Sequence, residues 1–310
     1  MKIVVALGGN ALLKKGEQGN IYQQFANTRE SVADIVTLIN EGHSIVITHG
    51  NGPQVGNILR RVEIAKDEAY YLPLGVCVAE SQGEIGYMIS QTIKNSLKKK
   101  GVNKEVICIL TQVLCDKDDP SMKKPSKPIG SYYTKYKAMK LKKGSEKRAV
   151  FREDSGRGYR RFVPSPEPKA IIESPIIKKL MNSAIVIACG GGGMPVYKEN
   201  GIVEGIDGVI DKDLSSALLA TELKADILAI LTSVEFVYKN FGKPNQKKLG
   251  EISLTEAKQL LKEGHFGEGS MEPKIQAAVN FLSKGGKKVI ITGTKNLCDA
   301  LEGKTGTIIE

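Results

Sequence analysis

Short aliphatic runs that alternate with longer segments of helical period constrain this chain more than any other feature. The runs occupy residues 2–7 (KIVVAL), 44–48 (SIVIT), 105–111 (EVICILT), 184–189 (AIVIAC), 226–231 (DILAIL) and 289–292. Most are continuous rather than alternating in polarity, as strands covered on both faces must be. Residues 22–40 place Phe25, Val32, Ile35, Val36 and Ile39 on one helical face ahead of Gly42. Helices are also expected over 79–100, closed by Gly101, and over 176–181, 214–223 and 271–283. Ser253 and Glu256 read as a capping box before a further helix that runs to Lys262. Residues 305–309 read as a final edge strand. Repeated strand–helix units imply right-handed crossovers, hence an α/β fold with a mainly parallel central sheet and helices on both faces. Hydrophobic residues make up 41% and aromatics only 5%, with no Trp, so the core is expected to be aliphatic.

Residues 116–168 break the rhythm. They are polar, basic and rich in Pro and Gly, with little period beyond 136–143. That is too long for an ordinary loop, so an inserted subdomain or lid is expected; a disordered basic loop is the alternative. The 310 residues admit two domains or one large unit with such a piece attached. The net charge is +11, and the basic excess is densest from 94 to 161. This balance suits nucleic acid, an anionic membrane or small anionic substrates. Tyr132, Tyr133, Tyr136 and Tyr159 lie among the basic residues, which leaves RNA binding open, but small phosphorylated substrates fit better. The five cysteines form no CxxC pair, so reduced thiols in a cytoplasmic protein are expected. The apolar N-terminal run is interrupted by glycines and Asn10 and reads as a first strand, not a signal peptide; no stretch approaches a membrane span.

Three of the aliphatic runs open into glycine loops: Gly8-Gly9-Asn10, His49-Gly50-Asn51-Gly52 and Gly190 to Gly193. Glycine lets backbone approach a ligand closely, and exposed N–H groups then cradle an anion. Ligands of parallel sheets bind beyond the carboxyl ends of the strands, where these loops fall. His49 is read as structural rather than as a base. Three lysines stand out. Lys212 is flanked by Asp211 and Asp213 at a helix start; Lys274 follows Ser270, a candidate N-cap, in a first helical turn; Lys127 begins KPIG in the basic insert. A lysine in a first turn opposes the helix dipole, which suggests an anion beside it. Lysines around a phosphate suit phosphoryl transfer, where alignment and charge neutralisation do most of the work. The Walker A loop, the Rossmann fingerprint and the protein-kinase motifs are all missing from the sequence.

The segments ALGGNAL, ITHGNGPQVG, KPIG, GRGYRRFVPSPEP, IACGGGG, VIDKDLSSALLA, VYKNFGKPNQKKLG, EGHFGEGSMEPK and GKTGTII together resemble the carbamate kinases of the amino acid kinase superfamily. The match runs collinearly through nearly the whole chain. It implies one amino acid kinase-type domain over 1–310, an open αβα sandwich, with residues 116–168 as a protruding subdomain, and a homodimer. It implies reversible transfer between ATP and carbamate, used for ATP synthesis in the breakdown of arginine or similar nitrogen compounds, with Mg²⁺ carried by the nucleotide phosphates and no dedicated protein metal site. Neither nucleic acid nor membrane is an expected partner.

By the same resemblance, Gly8, Gly9, Asn10, Gly50, Asn51 and Gly52 would hold the carbamoyl phosphate end. Lys212 and Lys274 would stabilise the transition state, Asp213 would orient them, and Lys127 would reach in from the insert. The nucleotide would lie along 232–242, with Thr232, Ser233, Tyr238, Phe241 and Met271. Two departures from the family pattern fall here. Ser233 and Glu235 stand where TDVD is common, and Glu272 stands where small or apolar residues are commoner. An acetylglutamate- or aspartate-type kinase, or a non-catalytic nucleotide-binding regulator, are the competing readings. KPIG and GRGYRR favour the small substrate.

Overall fold

The computed structural model describes residues 1–14, 17, 19–143, 149–154, 156–267 and 269–310, with Asn10 through its backbone alone. The first half supplies β1 (Lys2–Leu7), α1 (Ile21–Ser31), α2 (Ala33–Asn40), β2 (Ser44–His49), α3 (Gly52–Ile64), α4 (Leu74–Lys99), β3 (Glu105–Cys108) and β4 (Gln112–Leu114). A basic segment then forms β5 (Lys127–Tyr133), α5 (Lys135–Lys143), β6 (Val150–Glu153) and β7 (Tyr159–Val163). The chain returns through β8 (Ala170–Ile171), α6 (Ser174–Leu180), β9 (Ala184–Ile187), β10 (Met194–Glu199), β11 (Ile202–Gly205), α7 (Lys212–Glu222) and β12 (Ile227–Thr232). It closes with β13 (Val237–Lys239), β14 (Lys247–Leu249), β15 (Glu251–Ile252), α8 (Leu254–Lys262), α9 (Glu272–Ser283), β16 (Lys288–Gly293), α10 (Leu297–Leu301) and β17 (Thr307–Ile309).

The main sheet has the order β15-β17-β16-β12-β1-β2-β9-β3, and only the β16–β17 pairing is antiparallel. This is the α/β architecture expected of the sequence. The continuous aliphatic runs are continuous because both faces are covered. Val4, Ala6, Val46, Leu228 and Ile230 pack on one side with Ala217, Ala220, Ile275 and Phe281 of α7 and α9. Ile3, Val5, Leu7, Ile45 and Ile47 pack on the other with Ile35, Ile39, Ile85, Ile89 and Ile93 of α2 and α4. Register then fixes where the loops emerge. Leu7 pairs with both His49 and Leu231, and Thr232 pairs with Gly293. Gly8, Gly50, Ser233 and Thr294 therefore leave the sheet at one level.

Several elements differ from expectation. The helix expected over 22–40 is two, because Val32 leaves helical geometry at φ −97°, ψ 0° while the preceding Ser31 hydroxyl donates to Ala11 O. The long helix begins at Leu74 rather than at 79. Residues 305–309 do not form the sheet edge, since β15 pairs outside β17. Of the capping box at α8, the Glu256 N–H donates to Ser253 Oγ at 3.1 Å. The 116–168 segment carries more regular structure than its composition suggests. Its strands form a separate three-stranded antiparallel sheet, β5-β7-β6, around a small core of Ala138, Ala149 and Phe151. Three of its tyrosines are engaged there: Tyr133 meets Phe151 edge-on at 5.7 Å, Arg157 and Arg160 lie over the Tyr132 ring, and Tyr159 packs on the small core, while Tyr136 is exposed. No helix among the described residues is long and apolar enough to cross a membrane.

The small sheet crosses α3 by backbone contact. A Cβ built on Gly56 would lie 2.0 Å from Gly130 Cα, so only glycine allows β5 this close. Gly83 lies on the exposed side of α4, with open space around its would-be Cβ. Gly56→Ala is expected to destabilise by about 1–3 kcal/mol through overpacking. Gly83→Ala is expected to stabilise by about 0.5–1 kcal/mol. Denaturant unfolding of the two variants beside the wild type measures both.

Candidate active site

The loops leaving the sheet at one level line a cleft of about 1840 Å³. A pocket for one small ligand typically measures about 300–1000 Å³, so two reactants have room. Gly8, Gly9, Gly50, Asn51 and Gly52 line it, as do Lys127, Lys212, Asp213, Lys274, Thr232 and Ser233. The Asn10 side chain lies outside the described part of the structure. The starts of α3, α7 and α9 all contribute lining residues. Helix starts carry unpaired N–H groups and the positive end of the helix dipole, so the cleft is built for anions before any side chain is counted.

The charged centre comes from two of those starts. Lys212 and Asp213 are the first two residues of α7, capped by Asp211, whose carboxylate accepts from the Asp213 N–H at 2.8 Å. Lys274 lies in the first turn of α9. Asp213 bridges the two lysines: Oδ2 accepts from Lys274 Nζ at 2.7 Å, and Oδ1 lies 2.6 Å from Lys212 Nζ. The second contact is a close ion pair, and among the described residues the buried Lys212 Nζ has no aligned hydrogen-bond partner. Its donors are left for an incoming anion. Lys127 arrives from β5 and ion-pairs with Asp211. Three ammonium groups against two carboxylates leave one net positive charge.

Burial and pairing set the protonation of this cluster. Burial opposes ionisation of Asp213, but Lys212 and Lys274 outweigh it and hold its carboxyl well below the usual carboxylate range. Asp211 is lowered in the same way, chiefly by Lys127. For Lys274, burial is overcome by Asp213 and Asp211, and its pKa rises. For Lys212, burial prevails over the pull of Asp213, and its pKa falls. The opposite directions follow from the surroundings: at Lys212 the positive charge of Lys274 adds to the effect of burial, whereas at Lys274 both Asp213 and Asp211 act against burial.

Neighbouring side chains pin the cluster in place. The Ser216 hydroxyl donates to Lys212 O at 2.6 Å and contacts Thr48 Oγ1 of β2 at 2.6 Å. Ser215 donates to Gly192 O at 2.6 Å. The two serines of DKDLSSALLA thus fix α7 against β2 and the 190–193 glycine loop. That loop needs glycine at 191, where φ is +65° and a Cβ would lie 2.1 Å from the Asn51 amide nitrogen. The Asn51 side chain is taken up by Ser81, at 2.8 Å.

The sequence profile of the amino acid kinase family matches residues 1–293. A carbamate kinase of Thermococcus kodakarensis is 48% identical over 311 residues, covering 99% of this chain and 98% of its own. A carbamate kinase of Clostridium perfringens is 48% identical over 314 residues, covering 100% and 99%. The solved carbamate kinase from Giardia lamblia bound to AMP-PNP superimposes with a TM-score of 0.91 at 43% identity, covering 99% of this chain and 98% of that one. The chain belongs to the amino acid kinase family, among its carbamate kinases.

Against the carbamate kinase pattern, the nucleotide side is the part least assembled. Tyr238, Phe241 and Met271 are not among the residues that line the cleft. Tyr238 and Phe241 pair with each other, ring centroids 5.9 Å apart, and Met271, at the start of α9, packs partly buried on the core. Glu235, one of the two departures from TDVD, lines the cleft and accepts from the Thr305 hydroxyl. Glu272 also lines it and is exposed. Ser270 does not cap α9: Met271 holds that position, and the Ser270 hydroxyl donates to Gly267 O at 3.1 Å. Two contributors escape a linear reading. Asp211 is paired with Lys127 across 84 residues, and Gln54 lines the cleft from the third position of α3.

His49 does not line the cleft. It is fully buried, and its Nδ1 donates to Gly50 O at 3.1 Å. Burial lowers its pKa from 6.5 to about 4. Between those values the unfolded chain binds the proton and the folded chain does not, so folding stability rises with pH across that window. The contribution is fully present above about pH 6.5 and is lost as pH falls through about 4. It amounts to roughly 3 kcal/mol. Denaturation midpoints of wild type and His49→Gln between those pH values are expected to diverge, with the flatter profile in the variant.

Proposed function

We propose that this site catalyses ATP + carbamate ⇌ ADP + carbamoyl phosphate. The observation that carries the proposal is the Asp213 bridge, which holds Lys212 and Lys274 together at two helix starts facing one cleft. In the direction of ATP synthesis, a β-phosphate oxygen of ADP attacks the phosphorus of carbamoyl phosphate. The bond from phosphorus to the carbamoyl oxygen breaks, and carbamate leaves as the anion. Negative charge moves from one bridging oxygen to the other through the equatorial oxygens. Lys212 and Lys274 neutralise it there, and the glycine loops and the start of α3 receive the carbamoyl end. Lys127 would pass from Asp211 to the substrate when the 116–168 subdomain closes as a lid.

Mg²⁺ would shield the nucleotide phosphates. Asp211 and Asp213 are both engaged by lysines, so the ion's ligands would be phosphate oxygens and water, as suits its reluctance to dehydrate. Thr232 and Ser233 border the nucleotide end; Tyr238, Phe241 and Met271 are assigned to the base by resemblance alone. A homodimer is proposed, with Ile64, Tyr70, Tyr71 and Val76, exposed around the α3–α4 connection, as candidates for its contact. A cytoplasmic enzyme making ATP during breakdown of nitrogen compounds fits this chemistry.

The test is ATP formation from carbamoyl phosphate and ADP in a coupled assay, with acetylglutamate as a competing substrate class. Lys212→Ala and Lys274→Ala are each expected to lower kcat by about 10²–10³ or more while the fold is kept. Normal rates in both variants would remove the lysines from the mechanism. Activity with acetylglutamate but none with carbamoyl phosphate would overturn the reaction.

A further inference from the structure

At the charged centre of the cleft the donors are lysines and backbone N–H groups at three helix starts, and the carboxylates of Asp211 and Asp213 are engaged by those lysines. Among its described lining residues two buried acceptors lack a hydrogen-bond partner: Asp213 Oδ1, which is ion-paired with Lys212, and the neutral amide oxygen of Gln54. Gln54 is 4% exposed, and its Oε1 is buried with no hydrogen-bond partner among the described residues. Its orientation is fixed by a chain of amides. Gly19 O can only accept, so Gln24 must turn Nε2 to it, at 2.9 Å. Gln24 Oε1 then faces Gln54 and accepts from Gln54 Nε2 at 2.7 Å. The nitrogen of Gln54 is thereby used and its oxygen is left over. A single main-chain carbonyl thus decides which way both side chains point, where an isolated amide is free to flip.

A buried acceptor without a donor costs about 1–3 kcal/mol, so native proteins rarely keep one without use. Gln54 and Gln24 both line the cleft, and Gln54 stands two residues beyond Gly52, where α3 starts. Resting on the reaction proposed above, we propose that Gln54 Oε1 accepts a hydrogen bond from the amino group of carbamate and of carbamoyl phosphate. That amino group is the substrate's only donor. Acetate and acetyl phosphate have nearly the same shape, with a methyl group in its place. Lysines and N–H groups bind the carboxyl and phosphoryl oxygens of both compounds alike. Discrimination between them requires an acceptor, and a site built around a buried hydrogen bond rejects the analogue that cannot make it far better than shape alone does.

The experiment measures kcat/KM for ATP formation from ADP with carbamoyl phosphate and with acetyl phosphate. Gln54→Leu is expected to reduce the preference for carbamoyl phosphate by about tenfold or more, through loss on carbamoyl phosphate with little change on acetyl phosphate. Gln54→Glu keeps an acceptor but gives up the donor to Gln24 Oε1, so it is expected to slow both substrates while retaining the preference; it also serves if the leucine variant does not fold. Equal losses on both substrates in Gln54→Leu would show a purely structural role and overturn the assignment, as would a lost preference in Gln54→Glu. A wild-type enzyme that forms no ATP from carbamoyl phosphate would overturn the reaction itself, an outcome distinct from an unchanged ratio.

Discussion

The carboxylate of Asp213 is the interaction on which the rest of the site depends. Lys212 is buried and Lys274 largely so, both lie in first helical turns where cations are disfavoured, and both line one cleft. Without a counter-ion the two ammonium groups would repel each other and pay the desolvation penalty alone. Asp213 offsets both, and Asp211 repeats the device for Lys127. Buried ion pairs of this kind are a poor way to stabilise a fold, because desolvation consumes most of the attraction. The excess of one positive charge explains their presence better. An arriving phosphate completes a cluster that the protein alone leaves cationic.

The sheet makes that cluster possible. Strands β1, β2, β12 and β16 run parallel and in register, so their carboxyl ends deliver four loops to one place. Helices α3 and α7 pack beside those loops and present their starts to the same opening. The hydroxyls of Thr48, Ser215 and Ser216 lock α7 to β2 and to the glycine loop. The fold and the electrostatics are therefore one arrangement: shifting a strand would move a glycine loop and a lysine together.

Much of this was legible in the sequence because the chemistry is local. The aliphatic runs announce covered strands, and the glycine loops directly follow them. Lys212 and Asp213 are adjacent in sequence, so their pairing suggests itself. The Lys127–Asp211 and Gln54–Gln24 pairs span 84 and 30 residues, and no periodicity encodes such partners. The strands of the 116–168 segment were hidden because their sheet is small, basic and exposed, with only a few buried apolar positions. Ser270 shows the limit of local rules: its residue type suits a cap, but its hydroxyl turns back to Gly267. Tyr238, Phe241 and Met271 rest on motif resemblance, and the cleft is lined without them.

The most direct test of the bridge is single-turnover phosphoryl transfer in Asp213→Asn, with ADP affinity measured alongside. The amide keeps the size of the carboxylate but loses the charge shared by Lys212 and Lys274. The expected result is a transfer rate lowered by about 10² or more, with ADP binding changed only a few-fold. A transfer rate close to wild type would contradict the central role given to Asp213.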